Sequence, residues 1–156
     1  MGRLSWKVVL LGGLAYYAVQ WIVGMPIGML IHEGVLEPVY DETASFWRPE
    51  LMQETPDMAA LLPRWITTGV IVSLLVAGIY CFVRRAFDGP GWKKGAKYGL
   101  MLFVLGASWN AGLSGVFNLP DTIWFGWTVE ALVYTVVGGI VLGWLAQKLA
   151  PEPAVP

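Results

Sequence analysis

Glu130 is the residue with the clearest chemical demand in this chain. It lies in WFGWTVEALVY, within a run otherwise apolar enough to cross a bilayer. Taking the insertion values of other charged residues, a carboxylate at a membrane helix centre costs about 2.5 to 3.5 kcal/mol, so it must face other helices, take up a proton or find a partner. No Lys or Arg falls inside any apolar run, and desolvation without a counter-charge favours the neutral acid. The sequence therefore predicts a mostly protonated Glu130 that donates as well as accepts a hydrogen bond.

Candidate partners follow from depth. Asn118-Leu119-Pro120-Asp121 reads as a turn between two apolar runs, with Asn110 before it and Glu130 after it. In an antiparallel hairpin rising about 1.5 Å per residue, both lie about 15 Å from that turn, near the middle of a bilayer. Gln20 and Ser73 reach a similar level in the first two runs. Tyr134 follows Glu130 by one turn on the same face, and Trp109, beside Asn110, is placed to wall a small pocket or to fill the core. The layer of Glu130, Asn110, Gln20, Tyr134 and Trp109 has two readings. As glue, its hydrogen bonds fix helix register at about 0.5 to 2 kcal/mol each. As a site, it holds a proton, a cation or a small polar solute.

A second group stands at the outer end of the first run. His32, Glu33 and Glu37 place an imidazole and two carboxylates within about one helical turn, a weak candidate for a divalent metal. The plainer reading is a hydrated acidic loop with His32 at headgroup level. His32 with Glu33 or Asp41 is also the one set from which a lipid-modifying enzyme could be built.

Other chemistry is excluded. Cys81 is the sole cysteine, so disulfide exchange within the chain is impossible and a small buried side chain is expected. One His cannot supply paired haem ligands inside a bundle. The glycines sit in apolar runs and not in a strand-to-helix phosphate loop, so no nucleotide, nucleic acid or other cofactor is expected.

These residues need a membrane scaffold to position them. Of 156 residues, 56% are hydrophobic and only 13% charged, which is outside the soluble average. Backbone groups in lipid must be satisfied within the segment, so helices are expected. The predicted fold is an all-α integral membrane protein, a four-span antiparallel helical bundle forming a single domain over 1–156. Its spans are about 8–31, 65–83, 98–117 and 122–147, with an acidic outer loop 32–64 and a cytoplasmic loop 84–97. Arg3, Lys7, Arg84, Arg85, Lys93, Lys94, Lys97 and Lys148 fall on one side, Arg48 and Arg64 on the other. That bias puts both termini in the cytoplasm, and a bacterial inner membrane is the expected location.

Local signals refine this picture. Gly24 and Gly28 have the spacing that lets membrane helices approach closely, and Pro26 predicts a kink. Thr55-Pro56-Asp57 reads as a helix start with Thr55 as N-cap. Phe46-Trp47 suits the membrane interface. Gly89-Pro90-Gly91 marks a turn flanked by lysines suited to anionic headgroups or to a polyanionic ligand. Trp21, Gly24 and Gly28 are echoed by Trp109, Gly112 and Gly115, as a 2+2 parallel repeat would require. The expected function is a non-catalytic scaffold or accessory subunit. The alternative is a proton-coupled carrier or channel for a small polar or cationic solute, with Glu130 as the proton site. The expected partners are the lipid bilayer and either a second copy of the chain or another membrane protein.

Overall fold

A computed structural model describes residues 3–53 and 55–152. Among the described residues there are helices and loops but no strand. The first helix, α1 (Val8–Val35), has π-helical turns at both ends, Val8–Gly12 and Met29–Val35. A short α2 (Glu37–Glu42) and a 3-10 turn (Ala44–Phe46) follow. Then come α3 (Met58–Val83), a 3-10 turn (Arg84–Ala86), α4 (Gly91–Ser114) and α5 (Asp121–Leu149). Three helical stretches are long and apolar enough to cross a membrane, namely α1, α3 with its following turn, and α5. The chain is thus compatible with a multi-pass membrane protein.

Several expected boundaries move. Helix α1 runs on to Val35, so His32 and Glu33 are helical and not part of a loop. It also continues through Pro26 in helical conformation. The N-cap of α3 is Asp57, whose carboxylate accepts from the Ala60 N–H at 3.1 Å; an ionised oxygen outcompetes the Thr55 hydroxyl for those exposed donors.

The largest shift is at α4. Gly89 takes a φ of +98°, which glycine adopts without strain, and Pro90 turns the chain so that its carbonyl accepts from Lys93 and Lys94. The helix therefore starts at Gly91, inside the segment expected as a cytoplasmic loop. Its lysines hide it from a hydropathy reading, because Lys93 and Lys97 are exposed while Gly91, Gly95 and Gly99 are buried.

Those glycines explain the packing of α4 on α5. A Cβ on Gly95 would collide with the Gly139 carbonyl, one on Gly91 with that of Gly143, and one on Gly99 with that of Thr135. Residue numbers rise along α4 as they fall along α5, so the two helices run in opposite senses. Small residues let membrane helices come together through dispersion forces, since lipid tails remove the hydrophobic driving force between helices. By contrast, Gly24 and Gly112 face open space. Of the pair Gly24 and Gly28, only Gly28 meets another helix, at the Glu130 side chain.

Helix α1 lies between α3 and α5. Tyr16 covers Gly138, Leu142 covers Gly12, Tyr17 covers Gly69 and Leu74 covers Gly13. Val8, Val9, Tyr16, Ala77, Tyr80, Cys81, Tyr98, Leu142 and Ala146 form the buried core, concentrated toward the end where α3 meets α4. The Tyr98 hydroxyl is satisfied there by donating to the Val76 carbonyl at 2.8 Å. The opposite end is held by a different, polar set of contacts.

Candidate functional site

Glu130 stands nine residues into α5, about 13 Å along the axis. Across from it, α1 makes its last π-helical turn, closed by a 2.9 Å bond from the Leu36 N–H to the Ile31 carbonyl. A turn with i→i+5 bonding holds one more residue than an α turn and changes where side chains point; such turns occur often at functional sites. His32 lies in it. Glycines clear the approach on both helices: Gly28 has no side chain beneath the Glu130 carboxylate, and Gly126 leaves room for Ile31 and Leu36.

The result is a hydrogen-bonded chain through three helices. His32 Nε2 lies 3.1 Å from Glu130 Oε2, and His32 Nδ1 lies 2.6 Å from the Tyr40 hydroxyl of α2. The Trp127 Nε1–H donates to the same hydroxyl at 3.1 Å. An indole can only donate, so the Tyr40 oxygen accepts from Trp127 and offers its own proton to His32 Nδ1. In that arrangement His32 carries its proton on Nε2 and donates it to Glu130 Oε2. A further proton on the pair is accommodated too. A doubly protonated His32 donates from Nδ1 to the second lone pair of Tyr40, whose hydroxyl then rotates away.

Aromatic rings enclose this chain. The Tyr40 ring stacks on His32 with centroids 5.7 Å apart. Trp47 meets Tyr40 edge-on at 5.0 Å and Trp127 at 6.0 Å, and donates through Nε1 to Thr43 at 2.9 Å. Edge-to-face contacts of this kind contribute about 0.5 to 1.5 kcal/mol each beyond their buried area. Burial pushes the Tyr40 phenol above its ordinary range, the Trp127 N–H partly offsets this, and the Glu130 carboxylate adds to it. The pair is not sealed, however: side-chain exposure is 34% for His32 and 21% for Glu130.

The residues singled out in the sequence are distributed unevenly around Glu130. Its hydrogen-bond partner is His32, on another helix and outside the expected set of Asn110, Gln20 and Ser73. Tyr134 interacts electrostatically with Glu130, and both Tyr134 and Gln20 act on the Tyr16 hydroxyl. Gln20 thus reaches the layer through Tyr16. Asn110 is not brought to Glu130. Extending the register of Gly95 with Gly139 sets Asn110 level with Trp124 and Glu130 level with Val104, an offset of about 9 Å. Trp109 is 70% exposed and walls no pocket beside Glu130. Ser73 is buried, with its hydroxyl lacking a side-chain or carbonyl partner.

The metal candidate does not assemble. Both His32 nitrogens are engaged, Glu33 and Glu37 point to the exterior, and among the described residues no three His, Cys, Asp or Glu side chains are close enough to hold an ion. Asp41 is likewise exposed. Sequence reasoning missed Tyr40, Thr43, Trp47 and Trp127. Only Trp127 carries a local signal, sitting one helical turn before Glu130 on the same face.

Two cavities lie near the ends of the helices. One, of about 350 Å³, is an apolar groove lined by Ile31, Val35, Phe125, Gly126 and Val129, with Asp121 and Thr122 also lining it. The other, of about 280 Å³, is polar and lies at the far end, around Arg84 and Lys94. Comparison of the chain with protein-family models, with curated proteins and with solved structures finds no match.

Proposed function

We propose that this chain is a non-catalytic membrane scaffold or accessory subunit, in which His32, Tyr40, Trp127 and Glu130 fasten an outer cap onto the helices. The observation that carries this reading is the Glu130–His32–Tyr40 chain, in which both His32 nitrogens, one Glu130 oxygen, the Tyr40 hydroxyl and the Trp127 N–H join α1, α2 and α5. No assembled metal group accompanies it among the described residues.

The same reading takes α4 as a fourth span in an antiparallel bundle, with α1–α3 and α4–α5 as two like-oriented hairpins. Its 24 residues extend about 36 Å, enough for a hydrocarbon core of about 30 Å. An even number of crossings also keeps Arg3, Lys7 and Lys148 on one face, the cytoplasmic face of an inner membrane by the distribution of basic residues. The outer half of α4 displays Val104, Leu105 and Trp109, with Val116 exposed just past its end. This surface suits lipid, a second copy or another membrane protein.

One observation favours the alternative, a proton-coupled carrier: His32 and Glu130 remain partly exposed and can exchange a proton. Vesicles reconstituted with the full chain and loaded with a pH-sensitive dye separate the two. The scaffold reading expects proton leak equal to that of empty vesicles, with or without cationic solutes, and a destabilised Glu130→Gln variant. Solute-driven proton uptake that Glu130→Gln abolishes while remaining folded would establish the carrier instead.

A further inference from the structure

The polar cavity at the far end from Glu130 is built around an incompletely matched buried cation. Arg84 is 8% exposed. Its Nη1–H donates to the Ala146 carbonyl at 3.2 Å. Its Nε–H lies 3.3 Å from Glu152 Oε1 but out of line for a hydrogen bond, and both atoms are buried without a hydrogen-bond partner. Lys94 contacts the other Glu152 oxygen. Two cations from different elements thus converge on one planar carboxylate that aligns with only one of them.

Other groups shape the cavity for an anion. Pro90 provides no side-chain cap for α4, so the positive end of that 24-residue helix opens here, with the Gly91 N–H donating to Gln147 Oε1 at 2.7 Å. The Gly91, Lys93 and Lys94 N–H groups are already bonded to Gln147 and Pro90, so what this helix end offers an oxyanion is its dipole. The volume of about 280 Å³ far exceeds the roughly 30 Å³ share of one water. Glu152 itself belongs to no helix: it lies past the end of α5 at Leu149, in a Pro-Glu coil.

We propose that this cavity binds a phosphate-class oxyanion, and that Glu152 is the intramolecular carboxylate occupying it in the absence of that anion. A tetrahedral oxyanion presents acceptors in several directions, so it reaches the Arg84 Nε–H in line while also contacting the Lys94 ammonium. Two sources share this chemistry, the phosphodiester headgroup of an anionic lipid and free inorganic phosphate. The proposal is independent of what the Glu130 pair does.

The test uses the full chain in nanodiscs of neutral phosphatidylcholine, titrated with inorganic phosphate against chloride at equal ionic strength, with thermal unfolding as the readout. Glu152→Gln removes the competing carboxylate and keeps the side-chain size. It is expected to unfold earlier than wild type in chloride and to recover in phosphate, binding about tenfold more tightly than wild type, as loss of one charged competitor implies. Adding Lys94→Gln to that variant is expected to weaken the response by about tenfold. A parallel series in phosphatidylglycerol nanodiscs identifies the source. A lipid ligand stabilises Glu152→Gln there without added phosphate, whereas a soluble ligand leaves this series flat and acts only in the phosphate titration. The proposal is overturned if Glu152→Gln responds to neither source more than wild type does, or if Lys94→Gln leaves the response intact.

Discussion

The imidazole of His32 and the carboxylate of Glu130 meet at 3.1 Å although 98 residues separate them in the chain. Their contact joins the last turn of α1 to the third turn of α5, and Tyr40 extends it to α2. At the other end the same helices are held by glycine contacts and a buried aliphatic and tyrosine core. The molecule thus has a tight end built on shape and a capped end built on hydrogen bonds, and substitutions at the two should behave differently.

At the tight end, Gly95→Ala is expected to destabilise by about 1 to 3 kcal/mol, because the added methyl meets backbone that cannot move aside cheaply. Gly106→Ala on the same helix is the control: nothing lies within 4 Å of its Cβ position, and alanine gains about 1 kcal/mol of helix propensity over glycine. Denaturant unfolding in mixed micelles measures both. Equal effects at the two positions would remove the glycine contact from the account.

At the capped end, stability should depend on alkaline pH through Tyr40. Burial chiefly holds its phenol above the ordinary value, so the folded state binds that proton more tightly than the unfolded chain. Its contribution is then complete below the unfolded value of about 10 and is lost as pH rises through the raised one. Tyrosinate absorbance of wild type minus Tyr40→Phe is expected to rise later than that of free tyrosine, together with a change in tryptophan emission from Trp47 and Trp127. A difference signal titrating at the ordinary value would show Tyr40 to be solvated.

Cys81 provides a probe of the core. It is fully buried, so maleimide is expected to label it at the rate of global opening and not at the rate of a free thiol. Gly95→Ala should speed labelling, while Tyr40→Phe should leave it nearly unchanged, since the cap lies at the other end. Prompt labelling of the wild type would contradict the packing of α1 against α3.

Much of the helical content was legible because apolar composition leaves the backbone few alternatives. The limits of α5 differ little from the expected run 122–147, which is bounded by a turn and a proline. The start of α4 was hidden by Lys93, Lys94 and Lys97, which read as loop, although Gly91, Gly95 and Gly99 already showed a helical repeat. Glu130 was legible as a residue that demands a partner. Its partner was not, because depth counting assumes a symmetric turn and an end to α1 before His32. The six residues between α4 and α5 shift the hairpin register, and a π-helical turn at the end of α1 has no sequence signature. His32 accordingly looked like an interfacial residue of a loop.

The most direct test of the account is a double-mutant cycle of His32→Gln and Glu130→Gln, read as unfolding free energy in micelles or bilayers. A coupling energy of about 0.5 to 3 kcal/mol is expected for side chains in direct contact. The parallel cycle of Asn110→Ala with Glu130→Gln should be additive to within about 0.3 to 0.5 kcal/mol. Additivity at His32 with coupling at Asn110 would contradict the site described here and restore a symmetric hairpin layer in its place.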